Sequence, residues 1–160
     1  MAHLAIIGLR GIPDVMGGVE THCAHLLPRM VAQAGADDLR ITVLGRKGYV
    51  SGRGRFNGVD QVALWAPRRQ TLETILHSAL AILYARVILR ADAVHLHAIG
   101  PGLTAPLVRL LGIRLLFTHH GEDYRRQKWG RAARLALRLG EALALRFAHR
   151  VITVSQSTAS

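Results

Sequence analysis

Three short segments concentrate the side chains that could do chemistry in this 160-residue chain. The first, Gly8-Leu-Arg-Gly11-Ile-Pro-Asp-Val-Met-Gly17-Gly18, is rich in glycine but fits neither the dinucleotide fingerprint G-x-G-x-x-G nor the P-loop, which needs a Lys-Ser/Thr pair. What it offers is a glycine pair directly before a helix. There, bare backbone can approach a phosphate, and the free N–H groups and helix dipole favour negative charge. The same pair also serves simply to permit a tight turn.

The second segment carries His95 and His97, two apart on a strand and therefore on one face of a sheet. His97 stands nearer the strand's carboxyl end and is the functional candidate; His95 reads as a hydrogen-bonded core histidine. The third segment is His119-His120-Gly-Glu122-Asp123, at the exit of another strand. Glu20, Glu122 and Asp123 are acids placed to orient or deprotonate hydroxyls, and each also suits a helix start or loop. A same-face histidine pair can begin a zinc site, yet no cysteine or carboxylate stands at a spacing to complete one, so no metal is expected.

These segments must be positioned by the elements around them. Compact apolar runs at 3–8, 39–45, 62–66, 93–98, 113–118 and 151–154 predict six strands. Helical spacing predicts helices over 19–33, kinked around Pro28, over 71–90, after the turn at 99–102 with Gly112 as its C-terminal cap, and over 128–148. Residues 46–58, rich in Gly and Arg, read as a loop. Strands alternating with helices predict an α/β fold: a Rossmann-like, open, mostly parallel sheet of about six strands with helices on both faces. Ligands of such sheets bind outside the carboxyl ends of the strands where strand order reverses. If the first, fourth and fifth strands are neighbours, all three segments line one crevice.

Composition narrows the function class. Half the residues are hydrophobic and the formal charge is +11, which suits a folded domain with an anionic partner: nucleic acid, an anionic membrane face or a diphosphate-bearing substrate. Nearly all the basic residues are Arg beside heavy Ala, Leu and Gly use, a bias that GC-rich coding also produces. Trp65, Phe117 and Trp129 form no stacking platform for RNA, and nucleic acid is disfavoured. The single cysteine, Cys23, excludes an intrachain disulfide and fits a reduced cytoplasm. Residues 4–9 lack the flanks of a signal peptide, and the apolar run 76–89 is broken by His77 and Arg86, short of a bilayer span. Arg131, Arg134 and Arg138 recur on one helix face opposite Leu139, Leu143 and Phe147, a solvated stripe or a surface for anionic lipid on the inner face of the membrane.

The chain resembles the N-terminal domain of family-4 retaining glycosyltransferases of the GT-B fold, in particular bacterial rhamnosyltransferase-like members. The resemblance rests on Ile7-Gly-Leu-Arg-Gly-Ile-Pro13, Gly17-Gly18-Val-Glu20, Val94-His-Leu-His-Ala-Ile-Gly-Pro101, Thr118-His-His-Gly-Glu-Asp-Tyr124, Lys128-Trp-Gly130 and Val151-Ile-Thr-Val-Ser155. It implies that Gly17 and Gly18 approach the donor diphosphate, that His120 contacts the donor sugar near the reacting centre, and that Glu20 and His97 are acceptor-side or loop-ordering residues. His119 stands where the family is usually apolar.

The resemblance implies a nucleotide-sugar donor and a sugar or lipid-linked acceptor as substrates, with no metal or other cofactor required. It also implies that residues 1–160 form one acceptor-side domain. The family's diphosphate-clamping Arg/Lys pair and glutamate-x7-glutamate motif belong to a C-terminal domain and have no counterpart in these residues, so the chain alone is expected to be inactive. The alternative class is a non-catalytic basic Rossmann-like module that binds nucleic acid or anionic lipid.

Overall fold

A computed structural model describes residues 1–67, 70–121 and 130–154. Glu122, Asp123, Lys128, Trp129 and the 155–160 tail lie outside the described residues. The elements are β1 (Ala2–Ile7), α1 (Gly18–Ala34), β2 (Leu39–Arg46), β3 (Arg53–Phe56), β4 (Val59–Leu64), α2 (Gln70–Val87), β5 (Ala93–His97), α3 (Ala105–Leu110), β6 (Arg114–His119), α4 (Arg131–Phe147) and β7 (Arg150–Thr153), with a 3-10 turn at Pro101–Thr104.

The strands form one sheet of order β3-β4-β2-β1-β5-β6-β7. β1, whose last four residues are all buried, sits at its centre and pairs in parallel with β2 and β5. Such a run of apolar side chains on both faces is what a central parallel strand requires. After β1 the chain winds outward through α1 to β2 and β4, then crosses back through α2 to β5 on the other side. Strand order therefore reverses between β1 and β5.

Helices cover both faces. α1 buries Cys23, Leu27 and Val31 against Ile6, Ile41 and Val43. α2, α3 and α4 pack on the opposite face, over a core that includes Ile7, Leu44, Leu96, Leu115 and Phe117. Pro28 lies inside α1, where its ring removes one backbone donor without ending the helix. α4 crosses the 3-10 turn backbone to backbone, since a Cβ on Gly140 would stand 2.4 Å from the Ile99 carbonyl oxygen. Among the described residues, no helix is long and apolar enough to cross a membrane.

Two details differ from the sequence reading. The sheet has seven strands, because residues 53–56, read as loop, form an antiparallel edge strand paired to β4. The strand read at 62–66 begins and ends earlier, at Val59–Leu64. Arg53-Gly-Arg-Phe56 has no apolar alternation to betray a strand; its pairing comes from the turn. Asn57 and Gly58 take φ of 44° and 87°, and an Asn-Gly pair with positive φ at both residues is the two-residue hairpin signal. That dipeptide was the available clue.

Candidate functional site

The described parts of the three chemistry-bearing segments, the third as far as Gly121, converge at the carboxyl ends of β1, β5 and β6, beside the strand-order reversal, where open α/β sheets bind ligands. Gly8 ends β1 with φ +113°, and a Cβ there would stand 2.2 Å from the His97 carbonyl oxygen. Only glycine lets the turn leave β1 this close to β5. The loop that follows is pinned by Gln61 of β4, whose amide accepts from the Ile12 N–H and donates to the Ile12 carbonyl, both at 2.8 Å.

At the loop's end, Arg10 and Glu20 lock the start of α1. One carboxylate oxygen of the buried Glu20 accepts from the Arg10 backbone N–H at 3.1 Å and from Nε at 3.0 Å, and the guanidinium also donates to the Met16 carbonyl. Burial pushes the Glu20 carboxyl upward, but its hydrogen bonds with Arg10 outweigh this and the net shift is downward. Glu20 is thus a loop-ordering residue in geometry. The glycine pair divides its work: Gly17, at φ +153°, has no room for a Cβ, which would fall 1.9 Å from Glu20 Oε2, whereas a Cβ on Gly18 meets nothing within 4 Å. Gly18 is exposed at an α1 N-terminus that lacks a side-chain cap, so first-turn N–H groups are left to bond solvent or ligand.

Four imidazoles meet beside this helix start. His97 Nδ1 lies 3.0 Å from His120 Nε2. The rings of His95 and His97 are 4.1 Å apart, and His22, one turn into α1, sets its ring edge-on to His120 at 5.2 Å. His95 Nε2 bonds the Thr118 hydroxyl at 2.7 Å, the core role read for it. Burial first, then the neighbouring imidazoles, lowers the His95 value to about 4 and holds His97 well below 6.5, so both stay neutral at neutral pH. His97 does not face solvent: it is fully buried behind His120. Its position at the strand end suggested a more accessible group, but α1 covers it. Cys23 Sγ packs 3.7 Å from His97 Nδ1, and burial pushes its thiol to about 12, leaving it uncharged.

His119 points to the opposite face, where its Nε2 donates to Glu141 Oε1 at 2.5 Å while Nδ1 accepts from the Gly121 N–H at 3.1 Å. Adjacent strand residues diverge, so the two histidines part: His119 ties β6 to α4, and His120 joins the cluster. His22 escaped the sequence reading because nothing in a helix position spacing announces contact with a residue 98 further on. Among the described residues, no three of His, Cys, Asp and Glu are disposed to hold a metal ion.

On the other side of the α1 start, a cleft of about 360 Å³ opens between α1, α2 and α4. Arg10 and Glu20 enter it from one side. From the other come Arg46 and Glu73, paired at 3.0 Å. A second, larger groove, of about 750 Å³, runs between the 11–16 loop, α1 and the β3–β4 turn, away from His120. On α4, Leu139, expected on the buried face, is 51% exposed with Leu135 and Leu145, among Arg131, Arg134 and Arg146. The helix instead buries Gly140 and Ala144, because its close crossing admits only small side chains.

A mostly parallel α/β sheet with helices on both faces and a glycine turn at its order reversal defines a Rossmann-like domain. The sequence model of Glycosyltransferase Family 4 matches residues 16–160; the chain belongs to that family. No curated protein sequence matches it significantly. Among solved structures, sucrose-phosphate synthase from Thermosynechococcus elongatus superposes with a TM-score of 0.71 at 18% identity, over 94% of this chain and 42% of that one. A second structure of that enzyme gives 0.64 at 15% identity, over 97% and 77%. The chain thus spans under half the length of the first, and its fold is that of a Rossmann-like GT-B half.

Proposed function

We propose that this chain is the N-terminal, acceptor-side half of a retaining, rhamnosyltransferase-like enzyme that moves a hexose or deoxyhexose from a nucleotide-sugar donor to a sugar or lipid-linked acceptor. The observation that carries the reading is the 5.2 Å approach of the His22 and His120 rings. It brings the uncapped α1 start, with Gly18 open to solvent, beside the β6 exit histidine. A donor laid across this point would set its diphosphate on backbone N–H groups and its sugar against His120.

Charge grows on the leaving nucleoside diphosphate as the glycosidic bond breaks. Preorganised N–H donors at a helix start stabilise that charge without reorganising, so the mechanism needs no metal ion. A C-terminal domain supplies the cations and carboxylates that grip the nucleotide, and residues 1–160 alone are inactive. The acceptor side works at the cytoplasmic face of the membrane, where the Leu135, Leu139 and Arg-lined face of α4 gives an anionic surface a footing.

Gly18→Val in the full-length transferase is the direct test. A Cβ at Gly18 meets nothing within 4 Å among the described residues, so the fold is expected to hold, while the branched side chain blocks approach to the α1 N–H groups. Transfer is expected to fall at least about a hundredfold, the scale of losing a main oxyanion-type donor. Wild-type turnover by this variant would remove the glycine pair from the mechanism.

A further inference from the structure

In a chain with 21 Lys and Arg against 10 Asp and Glu, the described residues that line the cleft between α1, α2 and α4 are charge-balanced. Among the described residues two guanidiniums line it, and each is held by a carboxylate: Arg10 by Glu20 at 3.0 Å and Arg46 by Glu73 at 3.0 Å. Arg46 also donates to the Thr74 hydroxyl at 3.4 Å. We propose that this cleft is the acceptor subsite and that its two internally neutralised ion pairs select an uncharged sugar ring over a phosphorylated or uronic one. This rests on the transferase reading and names the acceptor class.

The chemistry of the lining fits a polyol. Paired guanidinium and carboxylate groups present N–H donors and oxygen acceptors side by side, the complement of vicinal hydroxyls, each of which donates and accepts. Tyr49 stands over Arg10, with the guanidinium carbon 5.2 Å from its ring centre, and is half exposed at the rim. Leu103 and Leu137 give the opposite wall an apolar surface for the C–H face of a ring. The volume, about 360 Å³, is near the small end of ligand pockets, which run from about 300 to 1,000 Å³. That is room for one sugar unit.

An anionic ligand meets a different field. Each cation already carries a carboxylate at ion-pair distance, so a phosphate that approaches Arg10 or Arg46 also meets the negative charge of Glu20 or Glu73. Like-charge contact of this kind is how sites reject a competitor. The specificity therefore resides in the carboxylates, and removing one should reverse it.

The test titrates the isotopically labelled chain with a panel of neutral methyl hexosides and with glucose 6-phosphate, following backbone resonances of Gly8, Tyr49 and Gly100 around the cleft. At least one neutral hexoside is expected to shift them, with glucose 6-phosphate binding at least about tenfold more weakly, the scale of one charged hydrogen bond. Glu73→Gln frees Arg46 and should invert the order, and its melting curve checks that the fold holds. Tyr49→Ala, at a half-exposed rim position that leaves the core untouched, should weaken the hexoside while glucose 6-phosphate remains excluded. Tighter wild-type binding of the sugar phosphate, or no response of the cleft to any neutral hexoside, overturns the proposal. Neither result touches the Gly18→Val experiment, so the two readings fail separately.

Discussion

Nδ1 of His97, the last residue of β5, lies 3.0 Å from Nε2 of His120, the first residue beyond β6. A fully buried ring thus orients a partly exposed one. His97 is a positioning residue in this arrangement. In the full-length enzyme, His97→Ala is expected to lower kcat about fivefold, the worth of one net hydrogen bond of about 1 kcal/mol, with little change in acceptor KM. His97→Asn, whose side-chain amide can stand near the Nδ1 position, should recover most of the rate. Unchanged kcat in the alanine variant would separate the pair from catalysis.

Acid should unfold this chain through its histidine core. Burial, followed by the charges of His120 and His22, lowers His95 from 6.5 to about 4, and burial also lowers His97 and His77. Folded values below the free value mean that the unfolded chain binds more protons between pH 6.5 and about 4. The contribution is present in full above pH 6.5 and drains away as pH falls. His95 alone accounts for about 3 kcal/mol lost by pH 4. Urea midpoints measured at pH 7.5, 5.5 and 4.5 should drop in that order, and His95→Gln should flatten the slope.

Gly17→Ala and Gly18→Ala should part company in a thermal melt. The first puts a Cβ 1.9 Å from Glu20 Oε2 on a backbone at φ +153°, while the second meets open space. Strained backbone of this kind costs about 1–3 kcal/mol, or about 2–4 °C in Tm for each kcal/mol in a chain of this size. Equal melting temperatures for the two variants would contradict the division of labour between the glycines.

Gln61→Ala removes both hydrogen bonds that hold Ile12. The buried Ile12 backbone groups are then left unpaired, a loss of about 1–3 kcal/mol for each. Limited proteolysis should cut the variant within residues 9–17, where the wild type resists. Matching digestion patterns would show that the loop is held by other contacts.

Six of the seven strands were legible: β1, β2, β5 and β6 because burial writes itself along the chain in mostly apolar runs, and β4 and β7 as shorter apolar stretches whose ends the structure shifts. β3 was not, since an exposed edge strand needs no apolar pattern, and only Asn57-Gly58 marked it. The site was half legible. Gly17, Gly18, Glu20, His97 and His120 could be singled out by type and position, but the same letters gave no sign that His97 lies behind His120 or that His119 turns away to Glu141.

The sequence by itself determined the alternation of strands and helices, the glycine turn before α1 and the histidines at two strand exits, because each depends on residues close along the chain. Tertiary structure alone decided that His22 meets His120 and that Arg46 meets Glu73. Those contacts join different elements and arise from the return of the chain through α2 to the far side of β1. Local periodicity records which face of an element is buried; it holds no record of which other element buries it.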